Sequence, residues 1–355
     1  MSRGVTRLDR GVYALAGVTV AGAAAVGGAK EGAGPLGPRF DLTIEDDLHG
    51  TTSFEAAEAS LALQAVDQSL KKSGLARDAV DAVLGGDLLN QLYSTNFSAR
   101  QHQIPLYGLF SACATFTEAV GLGAMLVAAG GVERALAMAA SHHMAAERQF
   151  RYPIELGYQR ALTASWTATA AGAVMLRPEM GEQASDNLGA DRAVEGGVRV
   201  TAVTTGRVID FGGHDPMDMG TAMAPAAADT LERHRSATGR EWGDYDQILT
   251  GDLGVVGSRI LVDLVRDGDR FRDRHEDCGR MLYSPDQDVH NGGSGAGCAA
   301  AVFAVWAYPR IQSGELRRVL MVATGALFSP TSYQQGESIP AIAHAVEFEC
   351  IGRGA

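Results

Sequence analysis

Cysteine is scarce in this chain. Four residues, at 113, 278, 298 and 350, share no CxxC spacing, which argues against a thiolate zinc site or a disulfide framework and points to a reducing compartment. Positive charge is also short. Thirty Lys and Arg against 42 Asp and Glu leave a formal charge of −12, which argues against nucleic acid or an anionic membrane face as the main partner. No apolar run reaches the roughly 18 residues of a spanning helix, so the chain is not expected to cross a bilayer. The glycine-rich Gly292–Gly297 is not followed by Lys-Ser/Thr, so it does not read as a nucleotide phosphate loop.

What is present is ordinary globular material. At 355 residues, 46% hydrophobic and 20% charged, the chain suffices for two domains or one duplicated unit. The 44 glycines gather at turns and helix ends, as many short α/β connections require. Arg3, Arg7 and Arg10 followed by the weakly apolar Tyr13–Gly22 imitate a signal peptide. The preferred reading is a first buried strand and turn, and the alternative is a targeting or membrane-contacting segment.

The stretch Pro105–His143 organises the rest. It reads as a loop, a helix opening on Ser111-Ala112-Cys113, and a strand over Ala135–Ala140 buried on both faces. Only Glu118 is charged between Ala114 and Ala129, so that helix is expected to be buried nearly all round. A cysteine at a helix start sees unpaired N–H groups and the positive end of the dipole, which favour a thiolate and bind anions. Cys113 is therefore the first candidate site residue.

The chain repeats this plan. A helix capped by Ser53 runs to Gly74 and a second helix ends at Gly239, and each glycine precedes the aspartate of a Gly-Asp-Leu turn, Asp87 or Asp252, by 13 residues. Asp81 and Leu84 match Asp246 and Leu249. The Cys113 helix has its counterpart in Gly292–Trp306 around Cys298, and the strand starting near Arg134 has its counterpart at Arg318. Three elements matching in order imply one ancestral unit used twice, each half a parallel βαβ-type sheet covered by helices. The halves are expected at 1–185 and 195–355, joined around Pro178–Gly197. The loop Asp46–Gly50 is expected over or near the site.

A duplicated α/β unit with a cysteine opening a central helix resembles the thiolase and condensing-enzyme superfamily. The strings Gly86–Gln91, Ser141–Pro153, Ala222–Asp229, Tyr283–Gln287 and Ala323–Pro330 resemble the stage V sporulation protein AD family more closely, over about Gly17 to Glu349. That resemblance implies a thiolase-like α/β fold, two pseudo-duplicated halves packed as α/β/α/β/α layers. It further implies a dipicolinic acid (or calcium-dipicolinate) binding protein that works with other SpoVA membrane proteins in dipicolinate uptake into the developing spore. Such a protein is cytoplasmic, peripheral to the inner membrane of the forespore or spore, and a homodimer or higher. No resident cofactor is expected, though calcium could accompany the ligand.

Condensing enzymes need a thiolate, an oxyanion donor pair and His/His or His/Asn partners from the second half. The loop corresponding to the histidine reads Thr250-Gly251-Asp252 here, and an ionised aspartate disfavours the thiolate and cannot donate to an enolate oxygen. Where an asparagine is expected, Ser294 is the only polar side chain in Gly293–Gly297. A cysteine-dependent acyltransferase using a CoA thioester is therefore the alternative reading. His142 and His344 are candidates to restore a base, His143 and His290 weaker ones. For a ligand with two carboxylates, candidates are the helix start at Gly295, Arg148 and Arg151 flanking Phe150 with Tyr152, and Asp87 and Asp252 as hard oxygen donors should calcium enter. The competing readings are salt bridges from the arginines to Glu147 and Glu155, and hydrogen bonds from the aspartates within their own turns.

Overall fold

The computed structural model describes residues 3–150, 160–179 and 197–352. Ten strands carry the two halves. In the first they are β1 (Val18–Gly27), β2 (Ala82–Gly86), β3 (Leu106–Gly108), β4 (Ala135–Ser141) and β5 (Ala170–Pro178). In the second they are β6 (Gly197–Thr204), β7 (Gln247–Thr250), β8 (His275–Asp277), β9 (Arg318–Ala326) and β10 (Ala341–Ile351). Across the sheet they run β3-β2-β4-β5-β1-β6-β10-β9-β7-β8, so the order 3-2-4-5-1 recurs in mirror sequence about the β1–β6 join. That join is short, Val20 opposite Val198 and Thr19 opposite Arg199. The expected parallel sheets are instead mixed: in each half the second strand is parallel to the third and fourth, but the fifth, which returns without a crossover, runs antiparallel to both neighbours.

Four helices complete the layers: α1 (Phe54–Ser73), α2 (Thr115–Ala128), α3 (Met219–Thr238) and α4 (Ala296–Val302). α1 covers β1, β4 and β5, while α3 covers β6, β9 and β10. α2 touches strands of both halves, and α4 packs on α2 and on β1, β4 and β5. The result is the expected α/β/α/β/α stack. Ser53 Oγ accepts the Ala56 N–H at the start of α1, and Gly74 and Gly239 close α1 and α3 in the left-handed conformation, both at φ 68°. Such caps satisfy amide and carbonyl groups that a helix end leaves without partners. Past α4 the helix widens to a π-turn over Phe303–Ala307 and continues as Tyr308–Gln312. Pro309 lies within that continuation, and its missing N–H forbids the regular bond to residue 305.

The duplication extends to single hydrogen bonds. Asp81 Oδ2 accepts the N–H groups of Glu133 and Arg134, both at 2.8 Å, and Asp246 Oδ2 accepts those of Arg317 and Arg318 at 2.6 and 2.9 Å. Arg134 and Arg318 each return a guanidinium bond to the carbonyl two residues before the matching aspartate, Ala79 and Asp244. In each half one carboxylate thus ties the entry of the second strand to the entry of the fourth. Residues 13–22 form strand: Val12–Ala16 pairs in a hairpin with Gly4–Asp9, and β1 follows. Residues 180–196, most of the expected junction, lie outside the described residues.

Gly325, on β9, lies against the turn that carries Cys113. An added Cβ would fall on the Ser111 carbonyl oxygen and 3.2 Å from the Cys113 nitrogen, and backbone atoms cannot yield as a flexible side chain can. Gly325→Ala is expected to cost about 1–3 kcal/mol, read as a lower midpoint in urea or thermal unfolding; an unchanged midpoint would contradict this seating.

Candidate functional site

The site lies where the two halves meet. Ser111–Cys113 makes a tight turn with Ala112 at φ 49°, and α2 begins two residues after Cys113. The Ser111 N–H donates to Thr115 Oγ1 at 3.0 Å, and that hydroxyl donates to the Ala112 carbonyl at 2.7 Å. This local ring of bonds holds a left-handed alanine that would otherwise be disfavoured.

From the second half comes Asp252, just past β7. Asp277, at the end of β8, holds its loop. One Asp277 oxygen accepts Thr250 Oγ1 (2.7 Å) and the Leu253 N–H (2.9 Å), and the other accepts the Gly254 N–H (3.0 Å). Asn291 clamps the far side, accepting the Val256 N–H and donating to the Leu253 carbonyl and Ser165 Oγ. So positioned, Asp252 accepts Thr324 Oγ1 at 2.6 Å, Ser294 Oγ at 2.8 Å and, more weakly, the Gly295 N–H at 3.4 Å. Ser294 Oγ in turn lies 3.8 Å from Cys113 Sγ. Its proton goes to Asp252, so the thiol is the donor on that side.

Cys113 and Ser294 border a narrow cleft that is partly open to solvent. Phe110, Phe150, Phe328, Met217 and Met219 build most of its wall; the polar groups are Ser165, Thr167, Ser294, Cys113 and Glu147. Among the described lining residues there is no Lys, Arg or His.

Of the sequence-derived candidates, the structure brings together Cys113, Asp252, Ser294 and Gly295. The others stand elsewhere. Asp87 spends both oxygens within its own turn, on the Leu89 N–H (2.8 Å) and on the Thr95 N–H and hydroxyl (2.7 and 2.6 Å). Both Asp87 oxygens and both Asp252 oxygens accept hydrogen bonds within the protein, and among the described residues no cluster of three His, Cys, Asp or Glu is placed to hold a metal ion. His142 is fully buried away from the cleft, its Nε2 on the Asp47 carbonyl and its ring against Phe54. The Asp46–Gly50 loop therefore meets His142 and does not line the cleft. His143 stacks on Trp166, and His290 bonds the Ala161 carbonyl and Asp288. Arg148 is half exposed and pairs with Glu55 at 3.7 Å. Arg151, Tyr152 and Glu155 lie outside the described residues.

His344 comes closest to restoring a base, and it fails on geometry. Its Nδ1 accepts the Gly206 N–H at 3.1 Å, so Nε2 carries the proton and gives it to Ser111 Oγ at 3.1 Å. Burial holds this imidazole down to about 4. Neither nitrogen is left to take a proton from Cys113. The residues that sequence reasoning missed are Thr324, Asp277 and Asn291, along with the hydroxyls of Ser165 and Thr167. Of these, Asp277 and Asn291 carry the side chains whose burial is costliest without partners.

The electrostatics reverse the expectation of a thiolate. Burial first, and the Asp252 carboxylate second, push the Cys113 thiol well above its usual range. Burial also raises Asp252, against the opposing effect of its hydroxyl and amide donors. The helix start does not compensate, because the sulfur is dry and faces a carboxylate. Burial pushes Asp277 up to about 7, with the Asp252 charge adding to it.

Two outcomes follow. Iodoacetamide should alkylate Cys113 far more slowly than a free thiol at neutral pH, and Asp252→Asn should accelerate it severalfold; equal rates in the two proteins would dissociate the sulfur from the carboxylate. For His344 the unfolded chain binds the extra proton between about pH 6.5 and 4, so stability falls as pH drops through that window. The loss is on the order of 3 kcal/mol for a shift of this size, and His344→Gln should flatten that part of the stability–pH curve measured by urea titration.

The sequence matches the family described as stage V sporulation protein AD (SpoVAD) over residues 10–349. It is 45% identical over 336 residues to stage V sporulation protein AD of Bacillus subtilis (strain 168), covering 94% of each chain. Among solved structures it is similar to the tetronic acid condensing enzyme AbyA1, with TM-score 0.59, 17% identity and coverage of 94% and 99%. It is also similar to OleA of Xanthomonas campestris with cerulenin, with TM-score 0.60, 13% identity and coverage of 97% and 99%. A third is 3-oxoacyl-[acyl-carrier-protein] synthase III of Aquifex aeolicus, with TM-score 0.57, 12% identity and coverage of 94% and 100%. These likenesses carry the thiolase-like fold, and the closer sequence match carries the family: the chain belongs to the stage V sporulation protein AD family.

Proposed function

We propose that the protein is a non-catalytic binder of dipicolinic acid, or of its calcium chelate, serving the SpoVA system in dipicolinate uptake into the developing spore. One observation carries the non-catalytic part. The sulfur that a condensing enzyme would use sits against Ser294 and Asp252, protonated, with no imidazole free to act on it. Membership of the sporulation family supports the biological setting, and the aromatic walls Phe110, Phe150 and Phe328 suit a flat ring.

The described lining holds one carboxylate, Glu147, and no cation, and Asp252 stands just behind Ser294. Calcium on this reading arrives as part of the ligand. Other SpoVA membrane proteins are the proposed partners, with the chain held peripherally at the spore inner membrane. No helix of the described residues is long and apolar enough to cross a bilayer. Self-association is proposed as well, through the exposed aromatics Tyr93, Phe97, Tyr107 and Phe110 beside the edge strand β3.

The second reading, a cysteine-dependent acyltransferase, is favoured by the apolar cleft beside Cys113. Calorimetric titration with dipicolinate should give saturable binding, tighter when calcium is present; no saturable heat at millimolar ligand in either condition removes the first reading. Mass spectrometry after incubation with acyl-CoA should find Cys113 unmodified, whereas an adduct abolished by Cys113→Ser would establish the second.

A further inference from the structure

Among the described residues, the hydroxyl-bearing wall of the cleft is built around a two-stranded element too short to stand out in the sequence. Trp166–Thr167 runs parallel to Gly293–Ser294, with Trp166 opposite Gly293 and Thr167 opposite Ser294. The Trp166 N–H donates to the Gly292 carbonyl at 2.9 Å and the Ala168 N–H to the Ser294 carbonyl at 2.8 Å. Alternation along the strand puts Ser165 and Thr167 on one face. Both line the cleft together with Ser294, each 7–8% exposed.

Their protons are differently committed. Ser294 gives its proton to Asp252. Ser165 Oγ accepts from Asn291 Nδ2 at 3.0 Å, which leaves its own hydrogen without an acceptor. Thr167 Oγ1 makes no hydrogen bond among the described residues, although the residue is more than nine-tenths buried. Its methyl lies toward Gly295, 3.1 Å from where a Cβ would stand there, and the residue borders the cleft. A cleft-side hydroxyl that has no partner in the protein is free to donate to a ligand oxygen when one arrives.

We infer that Ser165 and Thr167 are the donors that recognise the ligand's carboxylates, with Ser294 completing the wall and the phenylalanines holding the ring. The inference rests on the dipicolinate reading above and adds to it a ligand class: a flat aromatic ring carrying carboxylates along one edge, gripped by neutral donors. An arginine clamp would make binding strongly dependent on salt, whereas hydroxyl donors in a dry cleft would not.

The test is calorimetry on the full chain with dipicolinate and calcium, at low and high salt, for the wild type, Thr167→Val, Thr167→Ser and Ser165→Ala. Thr167→Val keeps the shape and breaks no bond within the protein, so its thermal midpoint should match the wild type while binding weakens about tenfold. Thr167→Ser should bind like the wild type. Ser165→Ala should weaken binding by a similar factor, and it supplies the same readout should the valine variant misfold. Wild-type affinity should change little with salt. If the wild type binds and neither Thr167→Val nor Ser165→Ala weakens it, the hydroxyl assignment is wrong and the dipicolinate reading stands. If the wild type shows no saturable binding, both fall together.

Discussion

A carboxylate buried between two halves of a chain sets the character of the whole centre. Asp252 is 1% exposed, and an ion in that position is tolerated only when its lone pairs are engaged. Thr324 and Ser294 engage them from β9 and from the approach to α4, and Asp277 holds the loop from behind. Every one of these partners comes from the second half. The first half contributes the sulfur, delivered by a left-handed turn that has room only because Gly325 lacks a side chain. The seam between the halves is therefore the site, with the buried carboxylate held on one side of it and the sulfur, Ser165 and Thr167 on the other.

Duplication explains both what the sequence showed and where it misled. Asp81 and Asp246 match in sequence and perform one task, because the amide groups they accept belong to the same repeated element. The helix ends at Gly74 and Gly239 and the doubling of the unit were legible from spacing, whereas the strand order and the antiparallel fifth strand of each half were not. Asp87 and Asp252 sit in equally matched Gly-Asp-Leu strings and diverge completely. Asp87 turns onto its own loop and the helix Tyr93–His102. Asp252 turns inward, because Thr324 and Ser294 reach it there. No local string encodes that choice, since the deciding groups are 42 and 72 residues away in sequence.

The candidate bases failed for a related reason. A histidine after a core strand, such as His142, can face either side of the sheet, and the Asp47 carbonyl together with Phe54 drew it to the outer face. His344 did reach the neighbourhood of Cys113, but the Gly206 amide fixed its tautomer. A thiolate was expected from the helix start alone. Burial and a carboxylate neighbour outweigh a dipole worth roughly 0.3–1 kcal/mol at an exposed site. The Ser165 and Thr167 hydroxyls left no mark at all, since a Ser-Trp-Thr string in a loop is indistinguishable from any turn.

These features bear on how far this centre stands from acyl chemistry. Removing the charge at 252 would ease one obstacle to a thiolate and leave burial, the larger one, in place. A proton acceptor would still be missing, because His344 is committed at both nitrogens and sits behind Ser111, without access to the sulfur. Acyl transfer by this thiol would call on both a free base and a better-solvated sulfur. Binding makes no such demand, since it requires only a shaped, largely dry cleft with a few donors in place. On the described geometry, the proposed binding role asks less of this centre than acyl transfer would.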